Sequence, residues 1–150
     1  MTHAAIRPTA QRPLREHVFA RCVFRVWSPD YCETVFPDGA IAPALFAYTP
    51  HMSATALALG YGSHVRRMHQ HHDLAHTFLA EARGLPFSPV LRHAAHGTHV
   101  PDHQRAEEEA LVMAFQAFLN DGRDRPELRH WPDPSQLGWM FMRLADEVWA

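Results

Sequence analysis

The sequence predicts a mainly helical α+β domain, with about five helices and a small N-terminal antiparallel β-ribbon. The chain has 150 residues, of which 47% are apolar and 20% charged, as expected for one globular domain with a sizeable core. Residues 17–36 are rich in Val, Phe and Trp around a Ser-Pro-Asp turn, which is typical of strands. Beyond Ser53, apolar residues recur at helical spacing between Gly and Pro breaks, which indicates helices.

Residues 1–15 are predicted to form a flexible tail, and residues 16–150 a single mainly helical domain. Pro8 and Pro13 interrupt any helix in the tail, and no apolar segment of a secretory signal precedes the domain. The sequence contains no run of 18 apolar residues, so no membrane span is predicted. We therefore expect a cytoplasmic protein that does not act on membranes.

The ribbon is predicted from strands at 17–27 and 31–36, and the segment 41–48 is either an edge strand or an irregular buried stretch. A turn at Ser-Pro-Asp places Cys32 opposite Val26 or Trp27, away from Cys22. The two sulfur atoms are then too far apart to bond, so reduced thiols and no disulfide are expected.

The predicted helices begin and end at conventional signals. Ser88-Pro89 begins the third helix and Gly97 ends it, while Asp133-Pro134 begins the last. The five helices are predicted at residues 54–59, 64–83, 88–96, 101–119 and 134–149.

The charge and the histidine content of the chain bear on its possible partners and chemistry. The net charge is −2 with His neutral, and the 14 basic residues are all Arg without forming a long basic stripe, so no nucleic-acid partner is expected. The chain has 13 His, and most of them fall between residues 64 and 103. This clustering directs attention to chemistry that uses imidazoles.

The helix at 64–83 carries an H-D-x-x-H pattern. His72 falls in the apolar stripe of this helix, and His76 follows one turn later. Two imidazoles at this spacing converge on one point, as they do in the HExxH helices that hold zinc. Asp73 takes the position of the Glu in that motif, so it is the predicted catalytic residue, acting as a base or as an orienting group.

Zinc, or another divalent metal, requires a third protein ligand. The predicted ligand is Glu108, which is in phase with the apolar residues Leu111 and Phe115 and therefore points inward, whereas Glu109 is expected to face water. Other histidines that remain open as ligands are His93, His96, His99 and His103.

The same residues also have a structural explanation. A buried His is satisfied by a carboxylate or a backbone carbonyl without any metal, and Glu residues favour the first turn of a helix because of its dipole. His72, His76 and Glu108 then form a structural hydrogen-bond network.

The HDLAH segment resembles two families. It is similar to the H-D-x-x-H zinc motif of the ubiquinone-biosynthesis scaffold and decarboxylase family, and this resemblance implies a helical zinc protein acting on quinone precursors. That family continues with a Glu about twelve residues after the second His, where this chain has Ser88. The His72-Asp73 pair also resembles the HD phosphohydrolases, with His51 or His64 and Asp102 or Asp121 as further ligands.

A longer resemblance runs from Tyr61 to Leu119. Its succession of HDLAH, GLP-SP-L and AEEEA resembles small bacterial proteins of unknown function. This resemblance implies no particular activity.

The sequence thus supports two hypotheses. The first is a metal-dependent, zinc-like hydrolase acting on a small-molecule substrate, with His72, His76 and Glu108 as metal ligands and Asp73 as catalytic residue. The second is a non-catalytic helical interaction protein, a homodimer, in which the His/Glu network is structural.

Overall fold

The structure is a computed structural model that describes residues 12–19, 21–28, 31–43 and 62–149. The predicted helix at 54–59 and the second half of the 41–48 segment lie outside these residues. Within them the chain is an α+β domain, which confirms the predicted fold class at that level.

The described strands form one antiparallel sheet in sequential order. They are β1 (Arg15–Val18), β2 (Val23–Ser28), β3 (Tyr31–Val35) and β4 (Ile41–Pro43). The sheet therefore has four strands, more than the two or three of the predicted ribbon.

The prediction of a single strand over 17–27 is wrong, because the chain reverses inside it. The backbone N–H of Phe19 donates to the carbonyl of Cys22 at 2.8 Å and closes a tight turn between β1 and β2. No Gly, Pro or Asn marks this turn, and the apolar residues on either side continue the strand pattern across it.

The described part of the chain contains four α-helices, which follow the strands. They are α1 (Gly62–Ala82), α2 (Pro89–His96), α3 (Asp102–Asp121) and α4 (Pro134–Trp149), with a short 3-10 turn at Pro126–Leu128. Each coincides with a predicted helix to within two residues at its ends.

The predicted signals for α2 act as expected. The Ser88 hydroxyl accepts a hydrogen bond from the backbone N–H of Leu91 at 3.2 Å, which satisfies one of the free N–H groups of the first turn. Gly97 adopts φ 69°, the left-handed conformation that glycine takes without steric strain, and it ends the helix.

The core lies between the sheet and the helices. Phe24, Val26 and Cys32 face inward from the sheet. The rings of Phe78, Phe115 and Phe141 join α1, α3 and α4, with centroids 5.2–6.1 Å apart. This packing fixes α1 against α3, the pair of helices that carries the predicted site.

The cysteines agree with the prediction of reduced thiols. Cys32 pairs with Val26 across the strands, as expected, and both Cys22 and Cys32 are buried and free.

No helix among the described residues is long and apolar enough to cross a bilayer.

Candidate metal centre

The site lies where α1 packs against α3. His72 and His76 are buried, with 3% and 1% of their surfaces exposed, as the helical phase predicts for His72. The same helical phase predicts that His71, about 100° around the helix from His72, is exposed, but its side chain lies outside the described residues. Contacts run from His72 to Glu109 and Gln116 and from His76 to Glu108 and Glu109, so the two helices are antiparallel here.

Three groups converge on one point. The Nε2 atoms of His72 and His76 are 3.1 Å apart. Glu109 places Oε2 3.0 Å from Nε2 of His72 and Oε1 3.1 Å from Nε2 of His76. Ligand atoms around a tetrahedral zinc with bonds of about 2.0–2.1 Å lie about 3.3 Å apart, so a shift of a few tenths of an ångström would admit the ion.

The second nitrogen of each ring, Nδ1, contacts a side chain of α3. Nδ1 of His72 is 2.8 Å from Oε1 of Gln116, and Nδ1 of His76 is 2.5 Å from Oε2 of Glu108. The Glu108 carboxylate can only accept, so Nδ1 of His76 carries a proton and donates it, and the Gln116 oxygen as placed accepts from Nδ1 of His72 in the same way. Metal-binding histidines are typically held in this way, because the back hydrogen bond fixes the tautomer and the ring orientation.

The tautomers determine what the converging atoms offer. In a neutral imidazole with the proton on Nδ1, Nε2 presents a lone pair. His72 and His76 therefore direct two lone pairs at each other, and Glu109 adds a carboxylate beside them. With the rings in these tautomers, a cation between them, either a metal ion or a proton, offsets the repulsion of the two lone pairs.

Glu109, rather than the predicted Glu108, contacts the two Nε2 atoms. Glu108 is buried, as its phase with Phe115 predicts, but it contacts Nδ1 of His76 and accepts a hydrogen bond from the Ser88 hydroxyl. Among the described residues, the group that could hold a metal is His72, His76 and Glu109. The side chain of Glu109 is 35% exposed, and its length carries the carboxylate from the flank of α3 to the two imidazoles.

The charges of the site are strongly coupled. Burial alone would lower the pKa of His76, but hydrogen bonds and charge attraction from Glu108 and Glu109 outweigh it and raise the pKa to about 9. Burial likewise opposes ionisation of Glu109, yet its contacts with His72 and His76 outweigh burial and bring the pKa of Glu109 below the ordinary value. Without a metal, one proton is therefore held between the rings and Glu109.

Asp73, the predicted catalytic residue, is directed to the sheet. Its carboxylate is buried and accepts a hydrogen bond from the thiol of Cys32 on β3 at 3.5 Å. It follows His72 in the sequence, but one residue along a helix is a rotation of about 100°, which takes it off the face directed at α3.

The other histidines considered as ligands have separate surroundings. His93 contacts the carbonyl of Thr98 at 2.5 Å, and His96 pairs with Asp38 at 2.7 Å. His99 and His103 are exposed. Sequence reasoning thus identified the two imidazoles but missed three partners, namely Glu109, Gln116 and the Ser88 hydroxyl. The seven-residue spacing of Glu109 and Gln116, two turns on one face, is the signal that could have found that pair.

Comparisons with protein-family models, with curated proteins and with solved structures find no match to this chain. The resemblances of the HDLAH segment therefore stay predictions, and function is inferred from the site itself.

Proposed function

We propose that the protein is a divalent-metal enzyme of the hydrolase type, with a zinc-like ion held by His72, His76 and Glu109. The observation that carries this proposal is the convergence of the two Nε2 lone pairs and the Glu109 carboxylate within 3.1 Å of one another. Two histidines and one carboxylate on helices form a known catalytic donor set, which leaves a position free for water or substrate.

The charge of the site also favours a divalent ion. Glu109 would bind the ion and Glu108 contacts the far nitrogen of His76, so α3 places two negative charges around the site. A proton between the imidazoles balances only one of these charges, whereas a divalent cation balances both. The partial exposure of Glu109 gives solvent and substrate a side from which to approach.

Each residue then has a defined task. His72, His76 and Glu109 would bind the ion, and Gln116 and Glu108 would hold the two rings in the binding tautomer. The ion would act as a Lewis acid toward a carbonyl or phosphoryl oxygen and would acidify a water molecule. Asp73, whose carboxylate contacts Cys32 rather than the imidazoles, would not act as the base on this water. The proposed location is the cytoplasm, whose reducing conditions suit two free cysteines.

The test is metal uptake by the full chain, purified without a histidine tag. Chelator-treated protein should take up one zinc per chain, as measured by competition with a chromophoric chelator. Bound zinc should also raise the melting temperature. His76→Ala should abolish uptake, whereas His103→Ala, an exposed histidine on α3, should leave it unchanged. A folded wild type that takes up no ion, or uptake that survives His76→Ala, would sink the metal centre.

Activity is a separate measurement. Zinc-loaded wild type should hydrolyse a generic p-nitrophenyl ester or phosphate faster than the chelated protein and faster than His76→Ala. Stoichiometric zinc without hydrolysis of either substrate would retain the metal centre and remove the hydrolase assignment for these two substrate classes.

A second candidate function is supported by the protonated form of the same site. With a proton on His76, both of its ring nitrogens donate to carboxylates, Nδ1 to Glu108 and Nε2 to Glu109, and the network is satisfied without metal. The protein would then be a non-catalytic helical interaction protein, in which exposed Trp139 and Met140 on α4 suit contact with a second copy. Light scattering would show a dimer, and chelators would leave its stability unchanged.

A further inference from the structure

A small cavity lies one residue beyond His76 along α1. It lies where the turn between β1 and β2 meets the segment that leads into α2. Its volume is about 30 Å³, and the residues that line it include Cys22, Thr77, Phe87 and Ser88. This volume is too small for an organic substrate, so the cavity is not a second substrate pocket.

Thr77, which lines this cavity, has an unusual buried hydroxyl group. Thr77 is 5% exposed. Its Oγ1 is a buried polar side-chain atom without a hydrogen-bond partner among the described residues. Folded proteins rarely leave a buried hydroxyl unsatisfied, because the lost hydration is not regained, and a bound water is a common remedy.

Two further polar groups line the same cavity. The Ser88 hydroxyl donates to Glu108 and accepts from the N–H of Leu91, so one of its two lone pairs remains for another donor. The thiol of Cys22 is buried and free. Together with Thr77 these give three groups, which matches the two to four hydrogen bonds that a buried water makes.

We infer that this cavity is a binding site for a buried water molecule, held by the hydroxyls of Thr77 and Ser88. One water requires roughly 10–15 Å³ of space, so a volume of about 30 Å³ is sufficient. The exposed residues Arg21 and Glu81 also border the cavity, which gives water a route of exchange. The water extends the hydrogen-bond chain from His76 through Glu108 and Ser88.

The inference does not depend on a metal, so it is tested on chelator-treated protein. Thr77→Val replaces the hydroxyl by a methyl of similar size, and Thr77→Ser keeps the hydroxyl and deletes the methyl. Oxygen-17 relaxation dispersion of the solvent counts long-lived bound waters. We expect one fewer in Thr77→Val than in the wild type, and the wild-type number in Thr77→Ser.

The direction in which the melting temperature changes is an independent test. If the hydroxyl holds water, Thr77→Val removes hydrogen bonds and should melt at a lower temperature than the wild type. If the hydroxyl is unsatisfied, its removal should raise the melting temperature. Equal water counts in wild type and Thr77→Val overturn the inference whatever the melting temperatures. Should Thr77→Val not fold, a nuclear Overhauser contact between bound water and Thr77 in the wild type decides, and its absence overturns the inference.

Discussion

The Nε2 atoms of His72 and His76 lie 3.1 Å apart, each on a ring whose Nδ1 donates to a residue of α3. Two lone pairs at this distance repel each other unless a cation lies between them. The packing of α1 on α3 thus defines a place for a single positive charge. Under the proposed function a divalent ion would compete with a proton for that place, and this competition governs the predictions that concern the site.

Glu109→Gln should weaken zinc binding by more than about 100-fold, beyond the roughly 10–100-fold typical of residues that only orient a ligand. The substitution removes the charge of the proposed third ligand while it keeps the shape of the side chain. Competition with a chromophoric chelator measures the change. Glu107→Gln is the matched control, because Glu107 is exposed and should leave the affinity at the wild-type value. Equal affinities of the two variants would remove Glu109 from the ligand set.

Glu108→Gln should weaken zinc binding by about 10–100-fold and leave the stoichiometry at one ion. The variant retains an acceptor for Nδ1 of His76 but loses the negative charge behind the ring. The same competition assay gives the affinity, and isothermal titration gives the stoichiometry. Complete loss of binding in folded Glu108→Gln, with Glu109→Gln unaffected, would show that the sequence-based assignment of Glu108 as ligand is right after all.

The stability of the chelated protein should fall as pH rises through about 9. His76 has a pKa of about 9 when folded against an ordinary value of 6.5, so its contribution is fully present below about pH 6.5 and is lost above about pH 9. Urea unfolding at a series of pH values measures the change. His76→Ala should lack this component. A wild-type stability that stays constant or rises between pH 6.5 and 9 would contradict the raised pKa.

Leu79→Ala and Phe115→Ala should each lower the free energy of unfolding by about 2–5 kcal/mol, because a cavity replaces packed side chains. Leu79 is 1% exposed and Phe115 is fully buried. Met113→Ala on α3 is the control. Met113 is 56% exposed, so its truncation should change stability by less than about 0.5 kcal/mol. A loss below that level for either core variant would place the residue outside the core.

Cys22 and Cys32 should react slowly with a thiol reagent at pH 8 in the folded protein and rapidly after unfolding. Burial, with the nearby charge of Glu81, raises the pKa of Cys22 to about 11, and burial beside Asp73 raises the pKa of Cys32. Little thiolate is therefore present at pH 8. Fast reaction of a cysteine in the native state would show that its thiol is accessible.

The parts of the fold that local chemistry determines could be predicted from the sequence. The helix α2 begins at Pro89 after Ser88 and ends before Gly97, because a hydroxyl cap and a left-handed glycine act within a few residues. The turn between β1 and β2 could not be predicted, since no turn residue marks it. It depends on strand pairing across the sheet, which the local sequence does not encode.

The candidate site, like the fold, could be predicted only in part from the sequence. A 3.6-residue period is enough to bury His72 and His76 on one helix and to point Glu108 inward. The period does not determine which carboxylate reaches which ring nitrogen. That depends on the register of α3 against α1, which the packing of Phe78 and Phe115 sets over long sequence distances.

Ser88 connects the site to a neighbouring helix, because one hydroxyl both caps α2 at Leu91 and donates to Glu108. An ion that displaced the ring of His76 toward its Nε2 side would also change the hydrogen bond from His76 to Glu108. Through Ser88, that change would reach the first turn of α2. If the proposed ion binds, the amide of Leu91 would therefore report the occupancy of a site that it does not touch. Hydrogen exchange at this single amide would follow the loading of the ion in solution, without labels or chromophores.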